Sequence, residues 1–266
     1  TMSVAPAEGA VYGDDSIRAR TKDGQEVFVD ASVIYSIDPN MVVDLHINWQ
    51  DRYQDNVVRP LSRGIIRDIA SQYGIQDIVS TKRAELEQGI TDELLKSTDV
   101  LMWWGHKKHK DVQDDLVDRI AARVKEEGMG FISMHSSHFA KPYKKLMGTA
   151  CSWREYKADG TSVKIIVKEP NHPICKGVKD FELPLIERYS EPFQVPQPEA
   201  VPLDGIYTKP SGEKEPGRMG LCWTVGKGKV FYTSLGHRED VWTNPVWRKH
   251  LLGGMGWAMG GEGDSK

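Results

Sequence analysis

The 266-residue chain predicts an α/β protein: a parallel sheet with crossover helices, preceded by a small α/β segment of different character. Three observations carry this prediction. Beyond Gly89 short apolar runs alternate with amphipathic helical stretches, strand then helix then strand. Two of those runs, Val100–Trp104 and Met129–Met134, are almost wholly apolar, as strands covered on both faces are. Before residue 89 the pattern is instead a hairpin followed by charged helices.

Each element has a local reason. Ser16 to Thr21 reads as a strand, Asp23-Gly24 as its turn, and Val27 to Tyr35 as the return strand. Val27, Val29 and Val33 share one face at period two. Residues 57–73 read as an amphipathic helix, because Val58, Leu61, Ile65, Ile69 and Tyr73 recur every three or four positions. Pro60 suits its first turn and Gly74 its stop. A second helix, rich in Lys, Arg and Glu, runs from Thr81 towards Gln88. After the strand at 100–104, Asp111 to Glu127 carries Val112, Leu116, Ile120 and Val124 on one stripe, with Gly128 just past its end. The strand at 129–134 leads into a short helix from His138 to Met147, with Pro142 near its start. Ser162 to Val167 is a further strand, and Met219–Val225 and Lys229–Leu235 form a hairpin around Gly226-Lys227-Gly228. The last helix starts at Asn244-Pro245, an N-cap followed by an N1 proline, and carries Trp247, Leu251 and Trp257. The Pro-rich stretch 192–202 reads as a surface loop, and residues 261–266 as a disordered tail.

Composition narrows the function classes. With 39% hydrophobic and 27% charged residues the chain is globular, and a net charge of −3 argues against bulk nucleic-acid binding. No apolar run approaches the roughly 18 residues of a membrane span. The N-terminus lacks the charged and apolar regions of a signal peptide, and its first residue is Thr, which suggests a fragment or a processed chain. Cys151, Cys175 and Cys222 are few and widely spaced, so a reducing, cytoplasmic setting is expected.

The chemistry concentrates at two strand ends. Val100–Trp104 is followed by His106-Lys107-Lys108-His109, and the strand at 129–134 by His135-Ser136-Ser137-His138. Parallel sheets place their ligands beyond the carboxyl ends of the strands, so these imidazoles are expected to face one crevice, joined by His237 after the last strand. Neutral imidazole ligates zinc and similar ions, which makes His106, His109, His135 and His138 candidate ligands for a divalent metal such as Zn. The same rings suit acid–base work without a metal, or a structural role capping helices and loop ends. Lys107, Lys108 and Lys110 would repel a cation if they pointed inward. Glu187 and Glu191 flank Tyr189 and offer a general base, or a merely solvated loop. Ser136 beside His138 lacks a Gly-x-Ser-x-Gly elbow. Of Trp103 and Trp104, alternation sends one indole to the core and one to the crevice. Asp240 and Trp242 follow His237 at the same mouth.

Two families are resembled. Residues 12–88 resemble the stomatin/prohibitin/flotillin (SPFH, band 7) domain through Arg20-Thr21-Lys22-Asp23-Gly24-Gln25-Glu26-Val27, Tyr35-Ser36-Ile37-Asp38-Pro39, Val58-Arg59-Pro60, Ile66-Arg67-Asp68 and Ser80-Thr81-Lys82-Arg83. Residues 89–260 resemble the trehalose-utilisation (ThuA-like) family of the class I glutamine amidotransferase-like superfamily. The carrying motifs are Asp99 to His106, His135-Ser136-Ser137-His138-Phe139, Leu146-Met147-Gly148, Asn171-His172-Pro173-Ile174, Glu187 to Phe193, Tyr232 to His237, and Trp242-Thr243-Asn244-Pro245. That resemblance implies a flavodoxin-like sheet, here truncated, because the family's opening strand, helix and strand are replaced by the band 7-like segment. The strand at 100–104 should then be an edge. The two resemblances meet between Glu87 and Thr91, which suggests a chimera. The superfamily's usual nucleophilic cysteine has no counterpart at 134–138.

The ThuA-like resemblance implies a carbohydrate-metabolism domain that binds or transforms trehalose or a related saccharide at the His-rich crevice, with metal assistance open. His106, His138, His237 and Glu187 would be catalytic, and Trp104, Ser136, Tyr189 and Trp242 would bind the substrate. The band 7-like resemblance implies a different reading, a scaffold that forms homo-oligomers and carries an inactive C-terminal domain.

Overall fold

The computed structural model of the protein describes residues 2, 14–31, 50 and 52–260. It divides into two compact units, Thr1–Thr98 and Asp99–Lys266. The expected return strand beyond Ala31 and the tail at 261–266 lie outside the described residues.

The first unit holds a two-stranded antiparallel hairpin, β1 (Ile17–Arg20) and β2 (Glu26–Val29), with Ile17 opposite Val29 and Arg20 opposite Glu26. Gly24 takes the left-handed conformation of the turn, at φ 81°. Helix α1 (Arg59–Ala70) packs Ile66 against Ile17, and Ala70 against Ala19. Asp15 accepts charge-assisted hydrogen bonds from both Arg59 and Arg63, which fixes the helix start beside the strand. Helix α1 ends at Ala70, one turn short of Gly74, with Ser71 as its cap.

Helix α2 (Arg83–Lys96) is longer than the sequence pattern suggests. It runs through residues 87–91, so the junction expected there falls inside a continuous helix. Gly89 and Thr91 are weak helix formers, but each costs only about 1 kcal/mol or less in a run of Glu, Leu and Lys. The second compact unit begins at Asp99.

The second unit is built on a seven-stranded sheet. Its strands are β3 (Val100–Trp104), β4 (Gly130–Met134), β6 (Ser162–Val167), β7 (Phe181–Leu183), β9 (Ala200–Thr208), β10 (Lys214–Val225) and β11 (Gly228–Thr233). Their order across the sheet is β3-β4-β11-β10-β9-β6-β7. The first three are parallel and the rest antiparallel, so the expected parallel sheet is the half that carries β3, β4 and β11. Among the described residues β3 pairs on one side only and forms an edge of the sheet, as expected for the strand at 100–104.

A smaller antiparallel pair, β5 (Trp153–Lys157) and β8 (Arg188–Phe193), stands apart from this sheet. The Pro-rich stretch expected to be loop is therefore loop only between Phe193 and Ala200. Its ends are strand because they pair with distant partners, β8 with β5 and β9 with β10 and β6, and bury Tyr189, Phe193 and Leu203.

Helix α3 (Asp114–Ala122) continues as a wider turn over Arg123–Glu127 and stops at Gly128, where φ is 88°. A 3-10 turn over His135–Phe139 precedes α4 (Lys141–Met147), so the expected single helix from His138 is two short pieces. After β11 come α5 (Glu239–Thr243) and α6 (Pro245–Ala258). Asn244 caps α6 by accepting from the Val246 and Trp247 backbone N–H groups. Helix α6 lies so close to the sheet that a Cβ on Gly130 would sit 2.5 Å from the Ala258 carbonyl oxygen, and one on Gly254 2.8 Å from the Phe231 ring. The core between them holds Ile132, Met134, Phe231, Trp247, Leu251 and Ala258.

Candidate functional site

The parallel register brings three strand ends level. Trp104 of β3 and Thr233 of β11 both stand opposite Met134 of β4. The residues that follow these three positions therefore leave the sheet together, which places His106, His135 and His237 at one end of it. Their rings are 5.6 Å (106 to 135), 4.9 Å (106 to 237) and 4.7 Å (135 to 237) apart, centre to centre. One ligating atom from each lies within 4.8 Å of the other two.

His135 is the buried member and the strained one. Its φ of 54° is left-handed, a conformation that costs a non-glycine residue about 1 kcal/mol or more. The turn is held from several directions. The Ser137 hydroxyl accepts from the Met134 backbone N–H at 2.7 Å and lies 3.0 Å from the Trp103 carbonyl. The His135 carbonyl accepts from Tyr232 Oη at 3.1 Å and from His138 Nδ1 at 3.0 Å. Burial pushes the His135 imidazole down to about 4, against the opposing pull of Glu187, so the ring is neutral at neutral pH.

Glu187, just ahead of β8, completes the cluster. Its Oε2 is 3.1 Å from His135 Nε2 and its Oε1 3.4 Å from His237 Nε2. Tyr156 of β5 donates its hydroxyl to Glu187 Oε1 at 2.6 Å, and burial with that bond pushes the Tyr156 hydroxyl up to about 12. Tyr189 Oη stands 3.5 Å from His135 Nδ1. Two indoles brace the His237 loop: Trp104 and Trp242 both donate Nε1–H to the Gly236 carbonyl, at 3.0 and 2.9 Å. Trp104 is 49% exposed. An open cleft at His237 is lined by that ring with Arg238, Glu239, Asp240 and Thr243.

The structure thus gathers His106, His135, His237, Glu187, Tyr189, Trp104 and Trp242 at the crevice. It gives other roles to three residues that sequence reasoning placed there. His138 is fully buried among Phe139, Tyr189, Phe193 and Tyr232, and its Nδ1 holds the His135 carbonyl. Burial pushes it down to about 4. His109 lies beside Phe139 and outside the group of three clustered rings. Each His-x-x-His pair thus contributes one ring, His106 and His135, to the crevice. Ser136 donates to the Gly105 carbonyl at 2.7 Å and ties the β3 and β4 loops together. Lys107, Lys108 and Lys110 are exposed. Glu191 forms a two-pronged pair with Arg218, at 2.6 and 2.9 Å, away from the cluster. Tyr156 is the residue that sequence reasoning missed. The stretch Trp153-Arg154-Glu155-Tyr156-Lys157 has no two-residue alternation, so no local signal marks it as a strand.

The trehalose-utilisation (ThuA) family model matches residues 50–258. The match begins inside the segment that resembles a band 7 domain and runs across residue 89. Among solved structures, a ThuA-like protein of Parabacteroides merdae is similar at 13% identity and a TM-score of 0.47, over 79% of this chain and 88% of that one. A protein of Salmonella typhimurium described as cytoplasmic is similar at 11% identity and a TM-score of 0.45, over 74% and 85%. No curated protein matches the chain. Among the described residues no helix is long and apolar enough to cross a membrane.

Proposed function

The chain belongs to the trehalose-utilisation (ThuA) family, and from that premise we propose that its crevice binds a small saccharide of the trehalose kind and transfers protons on it. The observation that carries this reading is the placement of Glu187 between two imidazoles at the shared end of β3, β4 and β11. A carboxylate within 3.1–3.4 Å of His135 and His237 needs only a small rotation to come into line with either ring and exchange a proton with it. Tyr156 holds that carboxylate in place through its 2.6 Å hydrogen bond. His135, neutral because it is buried, serves as an acceptor rather than an acid. His237, with its side chain 34% exposed, meets solvent and substrate together with the exposed His106. Trp104, anchored by its Nε1 and half exposed, offers an indole face on which a sugar ring stacks.

Isothermal titration calorimetry with trehalose tests the proposal, with a set of related disaccharides as comparison. The wild-type chain should bind at least one of them, and His237→Ala should weaken that binding about tenfold or more, a loss of about 1.4 kcal/mol. Equal affinity in both proteins, or no heat with any saccharide, would refute it.

A further inference from the structure

We infer that His106, His135, His237 and Glu187 form a binding site for one divalent transition-metal ion of the zinc class. The inference concerns the same crevice as the saccharide reading and rests on it for purpose, though not for its geometry.

Three features of the cluster support it. The first is the donor set. Three imidazoles present one nitrogen each within 4.8 Å of one another, and among the described residues no other such group exists. Imidazole nitrogen selects zinc, cobalt, nickel or iron over magnesium and calcium, which want oxygen.

The second is an unsatisfied contact. His135 Nε2 and Glu187 Oε2 are buried and 3.1 Å apart, yet neither makes a hydrogen bond of acceptable geometry. A buried imidazole and carboxylate this close would normally align, since leaving either unpaired costs about 1–3 kcal/mol. Misalignment at that distance means that the two lone pairs do not aim at each other. Atoms that share a metal show the same relation: ligands about 2.0–2.1 Å from one tetrahedral ion stand roughly 3.3 Å from each other. The 3.1 Å spacing from Glu187 Oε2 to His135 Nε2 is close to that value.

The third is the surroundings. Tyr189 Oη lies 3.5 Å from His135 Nδ1, on the ring atom opposite the unsatisfied one, where ligating histidines carry an outer partner. Tyr156 occupies one oxygen of Glu187 and leaves the other free of hydrogen bonds. The nearby lysines that would oppose a cation, Lys107 and Lys108, are exposed. An ion here would act as a Lewis acid towards a saccharide oxygen.

The test is a Co2+ titration of chelator-treated full-length protein, read by visible absorption and by calorimetry. The expected result is one equivalent bound, with visible bands of a four- or five-coordinate ion. His106→Ala and His237→Ala should each weaken binding 100-fold or more, and Glu187→Gln about 10-fold or more. His109→Ala should bind as the wild type does. His135→Ala is left out because it removes a buried ring at a strained turn, whereas His106 and His237 are partly exposed and their variants should fold. No binding by the wild type would overturn the inference, as would full binding by His106→Ala and His237→Ala. Calorimetry of saccharide with the metal-free protein separates the two readings. Saccharide binding without Co2+ binding leaves the proposed function standing and removes the metal site. Co2+ binding without saccharide binding does the reverse.

Discussion

His250 is a buried histidine that takes no part in the crevice, and it makes the chain sensitive to acid. It sits on α6 with no exposed surface, edge-on to Phe231 at 5.3 Å, and its nearest polar partner, the Ile174 backbone, leaves both ring nitrogens without a well-formed hydrogen bond. Burial pushes it down to about 3, with the Ile174 backbone opposing the shift. An unfolded histidine titrates near 6.5. Because the folded value is the lower one, the unfolded chain holds more protons between about 6.5 and 3, and stability falls as pH falls through that window. At about 1.4 kcal/mol per pH unit, moving from about pH 7 to pH 5 should cost about 1.9 kcal/mol through His250 alone. The perturbation is His250→Leu, which removes the titration and two unpaired polar atoms together. The assay is urea unfolding of wild type and variant at both pH values. His135 and His138 titrate in both proteins, so their contributions cancel in the comparison. The variant's loss of stability between pH 7 and pH 5 should be smaller than that of the wild type by about 2 kcal/mol. Equal losses would refute the reasoning and mean that His250 finds a partner or a proton in the folded state.

Further outcomes follow from the site and the core. Glu187→Gln should lower turnover of a processed saccharide about 100-fold while changing its affinity much less, measured as kcat against KM. Trp104→Ala should weaken saccharide binding about tenfold by calorimetry and leave the thermal midpoint nearly unchanged, because the indole is half exposed. Gly254→Ala should destabilise the second unit by about 1–3 kcal/mol in urea, since the new methyl would meet the Phe231 ring at 2.8 Å. Arg188→Ala should cost about 3 kcal/mol in the same assay: the guanidinium is buried, pairs with Glu155 at 2.9 Å, Glu215 at 3.1 Å and Asp159 at 3.3 Å, and its loss leaves three carboxylates facing one another.

The parts of the fold legible in the sequence are those fixed by local pattern. The runs at 100–104 and 129–134 could be read as strands because they are apolar throughout, and the helix after Asn244-Pro245 because its cap is spelled out in two residues. The strands β5, β7, β8 and β9 were not legible. Arg188-Tyr189-Ser190-Glu191-Pro192-Phe193 looks like a polar loop, and it becomes a strand because Arg188 is neutralised by acids from three other segments and Tyr189 and Phe193 pack on residues distant in sequence. The sense of the sheet was half legible for the same reason, since the antiparallel strands are paired by such distant contacts. At the site, strand ends predicted that His106, His135 and His237 would meet, but not which ring of each His-x-x-His pair would face inward. That choice is set by the left-handed turn at His135 and by the hold of Tyr232 and His138 on its carbonyl, neither of which leaves a mark in the spacing.

The most direct measurement is a crystal structure of the full chain grown with trehalose at saturating concentration. Saccharide density should lie over the Trp104 indole, with a hydroxyl in hydrogen-bond reach of Glu187 or His237. Saccharide ordered elsewhere on the protein, with the crevice holding only solvent, would contradict it.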